Sequence, residues 1–137
     1  MTNIITRTFM ALAVVAPLML GAASVRAADC ADTTTLPVGG SSGAICSNAA
    51  FTSGANSTVN GNISAKAAVT LGADSRTNGS VSAGAAFTSG ANSAVQGNVN
   101  AAGDVTLGAN SRIAGSVRSA TGVITYGAGA TVGSVVK

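Results

Sequence analysis

F-T-S-G-A-N-S opens at Phe51, V-T-L-G-A-D-S at Val69, F-T-S-G-A-N-S again at Phe87 and V-T-L-G-A-N-S at Val105. These copies align without gaps at a spacing of 18 residues. Ten residues into each copy stands a glycine, at Gly61, Gly79, Gly97 and Gly115, followed two residues later by Ile63, Val81, Val99 and Val117. One additional residue enters near Thr121-Gly122, and a fifth copy reads I-T-Y-G-A-G-A from Ile124. A fixed period of this kind implies a repeat architecture, in which each unit buries its apolar face only by stacking on its neighbours.

Parity identifies the unit. The period is even, so a position keeps its parity from copy to copy, and side chains along a strand alternate between faces with period two. Between residues 50 and 120 every charged residue is even-numbered: Lys66, Asp74, Arg76, Asp104, Arg112 and Arg118. Odd positions carry Phe51, Val59, Ile63, Val69, Leu71, Val81, Phe87, Val95, Val99, Val105, Leu107, Ile113 and Val117. One parity is the interior and the other faces water; a period of 3.6 would not separate charge this way. The sequence therefore predicts an all-β, single-stranded β-solenoid (a parallel β-helix) over 50–137, with about five coils of 18 residues, each coil divided into three short strands by tight corners. β-Hairpins are the competing fold, because Asn60-Gly61 and Asn78-Gly79 suit type I′ turns. The equivalent pairs Gln96-Gly97 and Ala114-Gly115 suit them badly, and hairpins give no reason for a gapless period.

The predicted interior alternates in volume. Phe51 goes with Ser53, Val69 with Leu71, Phe87 with Ser89 and Val105 with Leu107, so stacked coils can interlock large against small. Little else is available for a core: aromatics are 3% of the chain, charged residues 8%, and alanine supplies much of the 47% hydrophobic content.

The first 28 residues are of another kind. Arg7 gives a positive start, Phe9 to Ala23 is an apolar run broken only by Pro17 and Gly21, and small residues surround Arg26. This reads as a secretory signal peptide cleaved near Ala27 or Ala28. Export to the periplasm, cell surface or extracellular space of a bacterium is the expectation that follows. Without Arg7 and Arg26 the formal charge falls from +3 to +1, which gives no basis for nucleic-acid or polybasic membrane binding. Cys30 and Cys46 then lie just after the cleavage site, and in an oxidising compartment they are expected to form a disulfide. Residues 29–49, with Thr33-Thr34-Thr35, Pro37 and the Gly39-to-Gly43 run, read as a disulfide-pinned N-terminal cap or loop that covers the first coil. The other end has no such cover. Ile124, Tyr126, Val132, Val135 and Val136 form the candidate assembly end, guarded only by Lys137.

Catalytic chemistry is hard to build from this inventory. There is no histidine, and the four acids Asp29, Asp32, Asp74 and Asp104 do not recur in one column of the repeat. Paired-carboxylate catalysis needs convergent acids, and nucleophilic serine needs a base. The expectation is a protein without catalytic residues, metal or cofactor. Two polar columns remain as candidate binding features. Thr52, Thr70, Thr88, Thr106 and Thr125 stack as one outward ladder, and Asn62, Ser80, Asn98 and Ser116 as another. Outward threonine is first of all a good strand residue. The ladder also bears a weak similarity to the faces of β-helical ice-binding proteins, which makes ice or a surface polysaccharide the alternative partner.

The run V-T-L-G-A-N-S-R-I-A-G-S-V from Val105 to Val117, with V-T-L-G-A-D-S-R-T-N-G-S-V from Val69 to Val81, resembles the bactofilins, the polymer-forming β-helical proteins of bacteria. The resemblance covers residues 50–137 and implies a solenoid that joins end to end into filaments without nucleotide. The leading expectation is therefore an exported, bactofilin-like structural protein that self-associates through its solenoid ends, with an adhesin or spacer fragment as the remaining alternative.

Overall fold

The computed structural model describes residues 30–137; the expected signal peptide, its cleavage site and Asp29 lie outside the described residues. Residues 31–137 form one compact unit, with Cys30 opening its first short strand.

All described regular structure is β. Each turn contributes three short strands. The first position holds β2 (Thr35–Leu36), β5 (Phe51–Ser53), β8 (Val69–Leu71), β11 (Phe87–Ser89), β14 (Val105–Leu107) and β16 (Ile124–Tyr126). The second holds β3 (Ser41–Ser42), β6 (Thr58–Val59), β9 (Arg76–Thr77) and β12 (Ala94–Val95). The third holds β4 (Ala44–Ser47), β7 (Ile63–Ala65), β10 (Val81–Ala83) and β13 (Val99–Ala101), with β1 (Cys30–Ala31) hydrogen-bonded outside β4. β15 (Arg112–Ser119) and β17 (Thr131–Val136) run through the second and third positions without a break. Strands of the first position form one six-stranded sheet and the others an 11-stranded sheet.

Every strand pair whose register is defined is parallel and couples one turn to the next. Phe87 lies against Val69 on one side and Val105 on the other, while Ser89 lies between Leu71 and Leu107. The expected large-against-small interlock is thus present. Odd positions fill the interior: Phe51, Val69, Phe87 and Val105 are fully buried, as are Ile63, Val81, Val99 and Val117 to within 1%.

The solenoid has six turns rather than about five. The additional turn comes from the segment read as a loop, where Thr35, Ser41 and Ile45 pair with Thr52, Thr58 and Ile63. Leu36 and Ile45 join the core there. At the other end the inserted residue near Thr121 shifts pairing by one, so that Val105 faces Ile124. The shift persists through the next corner and is undone between the second and third strand positions, where Ala114 and Gly115 on β15 lie opposite the single Gly133 of β17.

The corners explain the repeat's small and amide residues. In each of the four middle turns one residue has positive φ: Asn56, Asp74, Asn92 and Asn110, all between 55° and 58°. Gly39 (71°) and Gly129 (73°) take the same place in the outermost turns. Asn and Asp are the side chains that best tolerate the left-handed region, and glycine has no Cβ to clash there. The N–H of each middle-turn residue donates to the following turn, for example Asn92 to the Ala109 carbonyl at 2.8 Å, so the ladder continues around the bend. Inside the same corner a buried serine returns to its own turn: the Ser75, Ser93 and Ser111 hydroxyls donate to the carbonyls of Gly72, Gly90 and Gly108 at 2.7, 2.9 and 2.8 Å.

Candidate functional site

The C-terminal end of the stack is where interior columns meet solvent. Ile124 continues the column of Val105, and Tyr126 that of Leu107. Val132 continues the column of Ile113 and Val135 that of Val117. Their predecessors are buried, but Tyr126 is 45% exposed and Val135 42%, because no further turn covers them. Val136 follows the outward column of Arg118 and is exposed for that reason. Ile124, Tyr126, Val135 and Val136 line a hollow of about 630 Å³ together with the loop 119–123, where Val123 is also exposed. The sequence-predicted end residues are thus gathered on one end, and Val123 is the member that sequence reading missed. β16 pairs only with β14, and β17 only with β15, so both leave a backbone edge there among the described strands.

The N-terminal end differs. Cys30 and Cys46 are both disulfide-bonded. Cys46 lies on β4 and is exposed, on the outward parity, and β1 occupies the edge of that strand. Val38 is the one strongly exposed large apolar residue of this turn.

The threonine column is present as an unbroken ladder. Thr52, Thr70, Thr88, Thr106 and Thr125 are exposed direct neighbours across parallel strands, and Thr35 extends the column to a sixth member. Thr35 escapes a search at the fixed period because it precedes Thr52 by 17 residues. The signal that finds it is Thr34-Thr35-Leu36, which matches Val69-Thr70-Leu71 in two of three positions.

The second polar column has a structural function. Asn62 Oδ1 accepts the Ser80 N–H at 2.8 Å, the Ser80 hydroxyl oxygen accepts the Asn98 N–H at 3.1 Å, and Asn98 Oδ1 accepts the Ser116 N–H at 2.8 Å. These side chains replace main-chain acceptors at a corner where the ladder breaks, and in doing so they cover the glycine of the turn above. A Cβ at Gly79 would lie 2.5 Å from Asn62 Oδ1 and 2.6 Å from the Gly61 carbonyl. The glycine of the repeat therefore marks close stacking, not a hairpin turn.

The acids serve the backbone and neighbouring amides. Asp74 Oδ1 accepts from the Asn92 side chain at 3.2 Å, and Asp104 Oδ1 accepts the Val123 N–H at 2.9 Å. Among the described residues no group of three His, Cys, Asp or Glu side chains is placed to hold a metal ion. No described helix is long and apolar enough to cross a membrane. The geometry offers two things: an apolar end with unpaired strand edges, and flat polar faces with a regular spacing.

The model of one protein family, described as Bactofilin, polymer-forming cytoskeletal, matches residues 41–135. The match begins at β3, ahead of the repeat that is visible by eye, and ends within β17. No curated protein and no solved structure matches the chain.

Proposed function

The chain belongs to the bactofilin family of polymer-forming cytoskeletal proteins, and on that premise we propose that it is an exported, non-catalytic structural protein that self-associates through the ends of its solenoid. The observation that carries this reading is the C-terminal end. There, interior-column residues Tyr126 and Val135 stand exposed beside strand edges that have donors and acceptors in position for another chain. An edge of this kind pairs readily with a second edge, and burying each large apolar side chain adds about 1.5–3 kcal/mol. Export is supported by the charge and hydropathy pattern of residues 1–28 and by disulfide-bonded cysteines, which persist in oxidising compartments.

Electron microscopy and light scattering of the purified chain test the assembly. The expected result is filaments many times longer than one solenoid, shortened or abolished by Tyr126→Asp with Val135→Asp. Uniform monomers of the unaltered protein at high concentration would overturn it. Export is checked by fractionating cells and sequencing the N-terminus: a mature chain starting near Asp29 outside the cytoplasm is expected, and an intact Met1 in the cytoplasm contradicts it.

A further inference from the structure

The face built on the second strand position has a composition unlike the other two. Its central outward column reads Thr58, Arg76, Ala94, Arg112, each residue directly paired with the next. Beside it runs a column of exposed carboxamides, Asn60, Asn78 and Gln96, and the corner on the other side presents the positive-φ asparagines. The Asn78 amide donates to Asn60 Oδ1 at 2.8 Å, and Asn78 Oδ1 in turn accepts the Arg76 Nε–H at 2.9 Å. This holds the Arg76 guanidinium through Nε and leaves its two Nη groups without a protein partner among the described residues. The acid bordering the face, Asp74, is engaged by Asn92. No ion pair occupies Arg76 or Arg112 among the described residues.

We propose that this face binds a linear acidic polysaccharide laid along the solenoid axis, with Arg76 and Arg112 each taking one uronic-acid carboxylate and Ala94 leaving a notch for the sugar between them. Spacing and charge both argue for this occupant. Two turns separate the arginines, about 9.5 Å at the usual inter-strand distance. In an extended twofold uronic-acid chain the carboxylates on one side recur at every second sugar, a step close to that length. Arginine binds carboxylates through paired N–H groups in a planar fork. Carboxamides donate and accept together, which suits the adjacent hydroxyls of a sugar. Each exposed contact is weak, and affinity comes from several on one rigid ladder. The inference does not depend on filament formation, since one solenoid carries the whole face.

Affinity electrophoresis and calorimetry of the full chain with polymannuronate test it, against the carboxyl-reduced neutral polymer. Arg76→Gln with Arg112→Gln is expected to weaken binding about tenfold or more. Ala94→Glu keeps both arginines, fills the notch with like charge to the polymer, and is expected to have a similar effect. Arg118→Gln, on the third strand position, is expected to change binding less than twofold, roughly the value of one remote exposed charge. Thermal unfolding of each variant establishes that it folds. Absence of binding to polymannuronate by the unaltered chain overturns the proposal. Equal binding of the neutral polymer, an equal loss with Arg118→Gln, or polyphosphate binding as tight as polymannuronate would each overturn it too.

Discussion

Exchanging one coil's interior for its neighbour's gives a quantitative test of the packing. In the third full copy, Phe87 and Ser89 both point inward, and the turns on either side present Val and Leu at the same two positions. Phe87→Val removes about four carbons from a fully buried site, which at about 0.8 kcal/mol per methylene is roughly 3 kcal/mol of destabilisation. Ser89→Leu alone forces a larger side chain into a column already holding Leu71 and Leu107. It also removes the hydroxyl that accepts the Gly108 N–H at 3.2 Å, and overpacking of this kind costs about 1–3 kcal/mol. If each turn keeps its interior volume constant by pairing large with small, the double variant makes a V-T-L turn between two others. It should lose less than the two single changes together, with a coupling of about 1–2 kcal/mol in the compensating direction. Urea unfolding of the four proteins at a subunit concentration where assembly is constant gives the cycle. Additive losses would refute the volume argument. A double variant as stable as the parent would show that the interlock between turns contributes nothing beyond volume within a turn.

Thr77 takes the place of valine in the column of Val59 and Val95, and its buried hydroxyl has no hydrogen-bond partner. Thr77→Val should therefore stabilise by about 1 kcal/mol, read as a higher urea midpoint with unchanged slope. Gly79→Ala drives a Cβ into the Gly61 carbonyl, which a backbone cannot yield cheaply, and should destabilise by about 2 kcal/mol or more in the same assay. Asn92→Gly should be nearly neutral and Asn92→Val destabilising by about 1–2 kcal/mol, because a β-branched residue is strained at a φ of 56°.

Much of this fold was legible because an even period locks parity to face. The charges at Lys66, Asp74, Arg76 and Arg112 and the apolar set from Phe51 to Val117 already sort inside from outside, and every member of that apolar set is buried. The first turn was not legible as a turn. Its strands begin at Thr35 with a spacing of 17, its corner uses Gly39 where the four middle turns use Asn or Asp, and Gly and Pro there carry the composition of a loop. The exposed apolar end could be read from Ile124, Tyr126 and Val135 because these positions continue the interior columns. Val123 could not, since it belongs to a loop one residue longer than its counterparts in the repeat. The arginine column was visible as charge only. That Arg76 and Arg112 face the same way with Ala94 between them depends on the 18-residue turn being in register, and that Asn78 holds Arg76 depends on side-chain geometry that no spacing rule supplies.

Spin labels on the threonine column give the most direct test of parallel coils stacked in register. With nitroxides at Thr70→Cys and Thr88→Cys, attached under non-reducing conditions that leave the native disulfide intact, the stack predicts strong dipolar broadening from labels about 5 Å apart at the backbone. Broadening should be clearly weaker for Thr70→Cys with Thr106→Cys, two turns apart. Equal spectra for the two pairs, or isolated-label spectra for the first, would contradict the parallel stack.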